Sequence, residues 1–454
     1  MLTDPFPERV PERITERVTE RVTASFVSHR QRRYLLAAAA FTFAVAVQGA
    51  ARAEEPVQKS PPSWSADPAV VEKLSRSRPD FNYRESEVPD YELPDVFGPL
   101  GKPANAAGWP ERRAAILELF RSHVYGHRPT IDAEISYERA EPPVDPTRGQ
   151  ARGQRVFCVV TKGDRTFKFP FYLYVPATAT ADKPVPLIIF INNRTPTDPE
   201  AMLETPNDFW PLDMIIEAGC AAAVFHTSDV DPDRADGYLE GIRGFLAEGQ
   251  PRARDAWGAL SAWGWGASRI ADYAIENVPQ TDPQRLAVVG HSRGGKAALW
   301  AAAEDPRFAI SYSNNSGCGG AALSRRRFGE TIARITSSFP HWFCEHLTTY
   351  AGSEPALPVD QHQLMALIAP RSAYVASAAE DLWADPRGEY LSLVHAAPVF
   401  ELLGKPSIQT ATMPPVDTQR VEGPTGYHIR SGGHNLTRDD WGRFLRFAAG
   451  RFSL

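Results

Sequence analysis

Cysteine is scarce in this chain. Four thiols, Cys158, Cys220, Cys318 and Cys344, stand among 454 residues, too few for a disulfide framework to hold the fold together. Cys158 and Cys220 lie in apolar runs and read as buried thiols. Cys318 and Cys344 are a candidate bridge in an oxidising compartment, and the sequence leaves bridged and free equally open. No cysteine or histidine pair has zinc-ligand spacing, so no metal site is expected. Positive charge is also in short supply. A formal net charge of −6 gives no basic footprint and argues against a nucleic-acid partner. Long hydrophobic runs are missing beyond the N-terminal region, so no membrane anchor is expected in the mature chain.

Apolar residues make up 43% of the chain and charged residues 23%, which is enough for a real hydrophobic core. The forty prolines suggest many ordered loops. The N-terminus reads as processing sequence. PERVPERITERVTERVT, from Pro7 to Thr23, is a charged four-residue repeat without a useful apolar face. HRQRRYLLAAAAFTFAVAVQGAARAEE follows, with a basic start, thirteen uncharged residues from Leu35 to Val47, and Ala51-Arg52-Ala53 as a small-x-small cleavage site. This is the pattern of a secretory signal peptide, too short to remain as a spanning helix. Arg32-Arg33 before Tyr-Leu-Leu is a loose twin-arginine match. The protein is therefore expected to be exported, to the periplasm or beyond the cell. The expected organisation is an extension and signal peptide over 1–53, a proline-rich arm over 54–105, and one catalytic domain over 106–454.

Within that domain RRAAILELFRSH has helical periodicity. RVFCVVTKG and FKFPFYLYVPA alternate at period two, as paired antiparallel strands do. PVPLIIFINN and CAAAVFHTSD are continuous apolar runs, as strands buried on both faces require. ALSAWGWGASRIADYAIENV reads as a long helix before the buried strand RLAVVG. RFAISYSNNSG, SAYVASAAED and PSIQT are further strand candidates. Strands alternating with helices predict an α/β-hydrolase fold, a doubly wound and mostly parallel sheet in a three-layer αβα sandwich.

Gly290-His291-Ser292-Arg293-Gly294 falls between the strand RLAVV and the helix KAALWAAAE. That context turns a weak GxSxG pattern into a candidate nucleophile elbow, with Ser292 on a turn so tight that its neighbours must be glycine. A serine hydroxyl needs a base and an orienting acid. His434, on the glycine-rich loop SGGHN before an amphipathic C-terminal helix, has the position and chain order of the base. His291 reads as structural, and His226 as a strand-end residue near the oxyanion side. SAYVASAAEDLWADP supplies the acid. Asp381 is the choice at the turn leaving the strand, with Glu380 and Asp385 as neighbours, and Asp385 is best placed to cap a helix.

AWGWGASRIADY, GHSRGGKAALW, SNNSGCGGAALSRRRFGE, FPHWF, DQHQLMALIAPR, EDLWADPRGEY and GGHN together resemble the glucuronoyl esterases, carbohydrate esterase family 15. The resemblance runs from about residue 90 onward. It implies cleavage of esters between lignin alcohols and the 4-O-methyl-glucuronic acid branches of xylan. Two-step acyl transfer needs no cofactor, and a monomer is expected. The resemblance also implies roles. Ser292 and His434 match the nucleophile and base, and Arg293 an arginine at the oxyanion. Lys296 and Glu330 match residues that bind the uronic acid hydroxyls, and Trp383 a tryptophan lining the sugar site. Fungal members carry the triad acid as glutamate where Asn315 stands here. The resemblance is therefore to the bacterial branch, whose acid follows a later strand, in keeping with Asp381. On this reading Arg293 and Lys296 surround Ser292 with basic charge suited to an acidic product. Two other classes remain as alternatives. One is another exported carbohydrate esterase, such as an acetyl-xylan or feruloyl esterase; the other is a non-catalytic carbohydrate-binding protein on a hydrolase scaffold.

Overall fold

The alternating burial of β4 (Val185–Asn192) shows how the central sheet is built. Leu187, Ile189 and Ile191 enter the core on one face, while Ile188 and Phe190 enter a second core on the other. A strand covered on both sides has no polar face, which is why its sequence is an unbroken apolar run. The computed structural model describes residues 63–140, 147–194 and 208–453. The N-terminal repeat, the signal-like segment and the first residues of the arm lie outside the described residues. The described residues belong to one compact unit. No helix among the described residues is long and apolar enough to cross a membrane.

Ten strands form one sheet in the order β1-β2-β3-β5-β4-β6-β7-β8-β10-β9. The antiparallel side is β1 (Glu134–Ala140), β2 (Ala151–Lys162) and β3 (Arg165–Pro176). The parallel body is β5 (Ala221–His226), β4, β6 (Thr281–His291), β7 (Phe308–Asn314), β8 (Ser372–Ala378) and β10 (Thr425–Arg430). The antiparallel strand β9 (Thr418–Glu422) closes the other edge.

Helices of ten residues or more among the described residues are α1 (Pro68–Ser77), α2 (Trp109–Phe120), α3 (Ala259–Asn277), α4 (Arg293–Glu304), α5 (Pro386–Leu402) and α6 (Arg438–Phe452). Residues of α2, α3, α4 and α5 join one core, and Trp441, Phe444 and Phe447 of α6 join the other. The three-layer, mostly parallel architecture is as expected.

Two details differ from the sequence reading. PSIQT (406–410) is not a strand; it runs without regular structure, and Ile408 donates its N–H to the Thr425 hydroxyl rather than to a ladder. The last parallel strand is β10, paired with β8. The elbow helix begins at Arg293 rather than at Lys296, because the turn at Ser292 leads straight into it. All four thiols are free, so Cys318 and Cys344 are not bridged. Cys344 Sγ turns instead toward the Ser122 carbonyl at 3.9 Å.

Candidate active site

The site lies at the carboxyl ends of the parallel strands. Ser292 caps α4 with φ 55° and ψ −124°, a conformation that costs a non-glycine residue on the order of 1–3 kcal/mol. The flanking glycines explain how the turn closes. A Cβ on Gly290 would fall 2.0 Å from the Gly294 carbonyl oxygen, and one on Gly294 would fall 2.7 Å from that of Ile191. The turn is held by the Ser292 N–H donating to the Asn314 carbonyl at 2.8 Å. Ser292 is half-buried, as an exposed elbow requires.

β8 and β10 bring Asp381 and His434 together, one from the end of each strand of the pair. Beyond their paired residues, the Ala379 N–H donates to the Arg430 carbonyl at 2.8 Å and the Glu380 N–H to the Gly432 carbonyl at 3.0 Å. His434 Nδ1 then meets Asp381 Oδ2 at 2.6 Å, with the imidazole 42% exposed and the carboxylate 5%. The His434 ring centroid is 4.5 Å from that of His291, so the imidazole is brought against the residue preceding Ser292. Glu380 is exposed. Asp385 is buried against Arg326 at 2.8 Å and caps α5 through the Gly388 N–H. Of the three neighbouring acids, Asp381 alone meets His434.

The cations beside the serine are not bare. Arg293 Nη1 is ion-paired with Asp233, which also accepts from His341 Nε2 at 2.9 Å and Trp342 Nε1 at 2.6 Å. Burial alone would raise the Asp233 carboxyl, but the His341 hydrogen bond, the Arg293 charge and the Trp342 N–H outweigh it and hold it at about 2. The Arg293 Nε is buried without a partner. Lys296 is buried, with its ammonium on the Ser316 carbonyl and 3.8 Å from Glu330. Burial raises the Glu330 carboxyl above its usual range, against the Lys296 charge and a hydrogen bond from Trp383. Each cation has a carboxylate beside it, because a buried cation without one would be strongly penalised.

Trp383 is half-buried and steadied by the arm. The Arg78 guanidinium lies 4.5 Å from its ring centroid, and Phe81 meets it edge-on at 4.8 Å. The Asn82 carbonyl accepts the Gly329 N–H, and the Trp383 carbonyl accepts the Glu330 N–H. These contacts join Glu330 and Trp383 in one wall.

His291 and His226 each sit at the end of a strand and are held through Nδ1. His291 Nδ1 pairs with Asn314 Oδ1 at 2.6 Å. His226 Nδ1 accepts the Ser228 N–H at 3.2 Å. Three other residues escaped the sequence reading or were left without a role. Asn315 Nδ2 donates to Asp381 Oδ2 at 2.7 Å, the same oxygen that meets His434. Asp233 holds Arg293. Arg430 holds the His434 loop, donating to the carbonyls of Ser431, Gly433 and Asn435 at 2.8, 3.0 and 2.6 Å, while Asp440 accepts its Nε at 2.7 Å. The sequence signals for Asn315 are its place at the end of a strand neighbouring the elbow strand and its match to the position where fungal members carry the triad glutamate.

A family model described as glucuronyl esterase, fungi, matches residues 158–404. The chain is similar to "Carbohydrate esterase MZ0003" from an unknown prokaryotic organism, 36% identical over 85% of this chain and 94% of that protein. It is 28% identical to a 4-O-methyl-glucuronoyl methylesterase of Schizophyllum commune, over 71% of this chain and 75% of that one. The solved glucuronoyl esterase from Solibacter usitatus superposes with a TM-score of 0.74 at 36% identity, covering 81% of this chain and 100% of its own.

Proposed function

Because the chain belongs to the glucuronoyl esterase family, carbohydrate esterase family 15, we propose that this carboxylic ester hydrolase cleaves esters joining 4-O-methyl-glucuronic acid side chains of xylan to lignin alcohols, as an exported monomer. Ser292 is the nucleophile, His434 the general base and Asp381 the acid that orients it. One observation carries the reading: the 2.6 Å contact of Asp381 Oδ2 with His434 Nδ1, at an imidazole set against the residue next to the elbow serine. A carboxylate on Nδ1 fixes the tautomer that offers Nε2 as the base.

His434 takes the Ser292 proton as Oγ attacks the ester carbonyl. The tetrahedral oxyanion forms over the start of α4, where the helix N-terminus carries partial positive charge. Arg293 serves there. Its pairing with Asp233 aims the guanidinium before substrate arrives. A preorganised donor of this kind is worth about 10²–10³ in rate. The alcohol leaves with the proton from His434, and water, activated by the same imidazole, releases the glucuronate from Ser292. Lys296 and Glu330 bind the sugar hydroxyls, and Trp383 supports the ring.

The test compares a benzyl glucuronate ester with 4-nitrophenyl acetate. The wild type is expected to favour the glucuronate. Ser292→Ala is expected to lose on the order of 10⁶ in turnover with its melting temperature unchanged. Full activity in Ser292→Ala would remove the nucleophile, and a preference for the acetate would favour an acetyl esterase.

A further inference from the structure

Glu389 on α5 is a fully buried carboxyl that the catalytic steps above do not use. Its Oε1 accepts the backbone N–H groups of Ser316 at 2.7 Å and Gly317 at 2.9 Å, with the Ser316 hydroxyl at 3.3 Å. Its Oε2 is 2.6 Å from the Ser377 hydroxyl. The segment held in this way, 315–317, leaves β7 and makes two contacts with the catalytic apparatus. Asn315 donates to the Asp381 oxygen that meets His434, and the Ser316 carbonyl accepts the Lys296 ammonium.

The segment needs such support. Asn315 has φ 47° and Gly317 φ 58°, so the chain turns sharply off the sheet and points consecutive N–H groups into the protein interior, where Glu389 is their acceptor. Without it those donors would be buried and unpaired.

We propose that Glu389 is a positioning residue, a hydrogen-bond clamp that holds 315–317 so that Asn315 steadies Asp381 and Ser316 seats Lys296. Other titratable groups around it are Asp381 beyond β8, Asp385 capping α5 one turn earlier and Tyr427 on β10, with Lys296 on the far side of the Ser316 peptide. Burial pushes the Glu389 carboxyl up to about 8, with the charge of Asp381 adding to the rise, against the hydrogen bonds it accepts. In the neutral form Oε1 still accepts both N–H groups, and Oε2–H donates to Ser377. The proposal rests on the assignment of Ser292, His434 and Asp381, but not on which ester is cleaved.

Two variants separate reach from charge. Glu389→Gln keeps the length and cannot ionise; Glu389→Asp ionises and is one methylene too short to meet both N–H groups. The readout is kcat on 4-nitrophenyl acetate and on benzyl glucuronate, with melting temperatures. Gln is expected within about threefold of wild type, and Asp down by at least about tenfold on both esters, since misplacement near 1 Å is costly. On the acetate, Glu389→Asp is expected to cost less than about twofold more in an Asn315→Ala background, because the clamp acts through Asn315; independent losses would multiply. Should the Asp variant not fold, Glu389→Met, of similar size with no carboxylate, takes its place with the same loss expected. Asp outperforming Gln, both matching wild type, multiplying losses, or a Gln variant that fails to fold would overturn the proposal. Ser292→Ala in the same acetate assay tests the parent assignment separately.

Discussion

Replacing Glu389 by Gln should stabilise the enzyme, and more so as the pH rises. The folded carboxyl sits at about 8 against an ordinary value of 4.5. Between those values the unfolded chain releases a proton that the folded chain keeps, so the wild type loses about 1.4 kcal/mol of stability per pH unit from this group. For an acid raised on folding, the penalty is absent below 4.5, grows through the window and levels off above about 8. Glutamine has no such slope. By pH 7 the accumulated difference is about 3 kcal/mol in favour of the variant, less whatever its amide loses in hydrogen-bond quality. For a chain of this size 1 kcal/mol moves Tm by roughly 1–2 °C, extending the fall of that shift with length. Thermal unfolding of both proteins at pH 5, 6, 7 and 8 checks it, and the expected result is a Tm gap that widens with pH. A gap that stays flat would refute the reasoning, because it would mean that the donors around Glu389 keep it ionised.

The opposite sign is expected at Asp233, whose carboxyl is held at about 2 against an ordinary 3.8. Its contribution of about 2 kcal/mol is present above 3.8 and lost as pH falls through 2, so Asp233→Asn should be less stable than wild type at pH 6 and the gap should close in acid unfolding. Arg430→Lys keeps a charge for Asp440 but cannot span three carbonyls of the His434 loop. It should lower kcat by about tenfold with Tm changed by only a few degrees, and a normal kcat would remove the loop-holding role. Lys296→Met should reduce kcat/KM on benzyl glucuronate by about 10²-fold, the value of a buried charged hydrogen bond, while the acetate changes by much less. Equal losses on both esters would take Lys296 out of sugar binding. Phe81→Ala should raise KM on the glucuronate a few-fold by loosening Trp383, with kcat retained; an unchanged KM would mean that the arm does not shape the site.

The elbow was legible because its parts are neighbours in the chain. Strand, GxSxG and helix follow one another within residues 281–304, and the glycines are demanded by contacts at most a few residues or one strand away. Asp381 could be picked out at the turn leaving a strand and His434 on a glycine-rich loop before the C-terminal helix, although PSIQT reads as a strand and is not one. Its apolar residue, Ile408, is buried in a segment that packs without pairing, and composition does not separate those two cases. The edge strand β1 was also missed, since its partly exposed face weakens the apolar signal.

Local pattern was enough to anticipate most of the parallel strands and the tight turn at Ser292, because periodicity and backbone sterics act over a few residues. Which carboxylate compensates which cation depended on the folded chain. Asp233 and Arg293 are 60 residues apart, Asn315 and Asp381 are 66 apart, and Glu389 meets Ser316 across 73. A desolvated charge or a buried N–H takes whatever partner the packing brings within hydrogen-bond reach, and that choice leaves no periodic trace in the order of the residues.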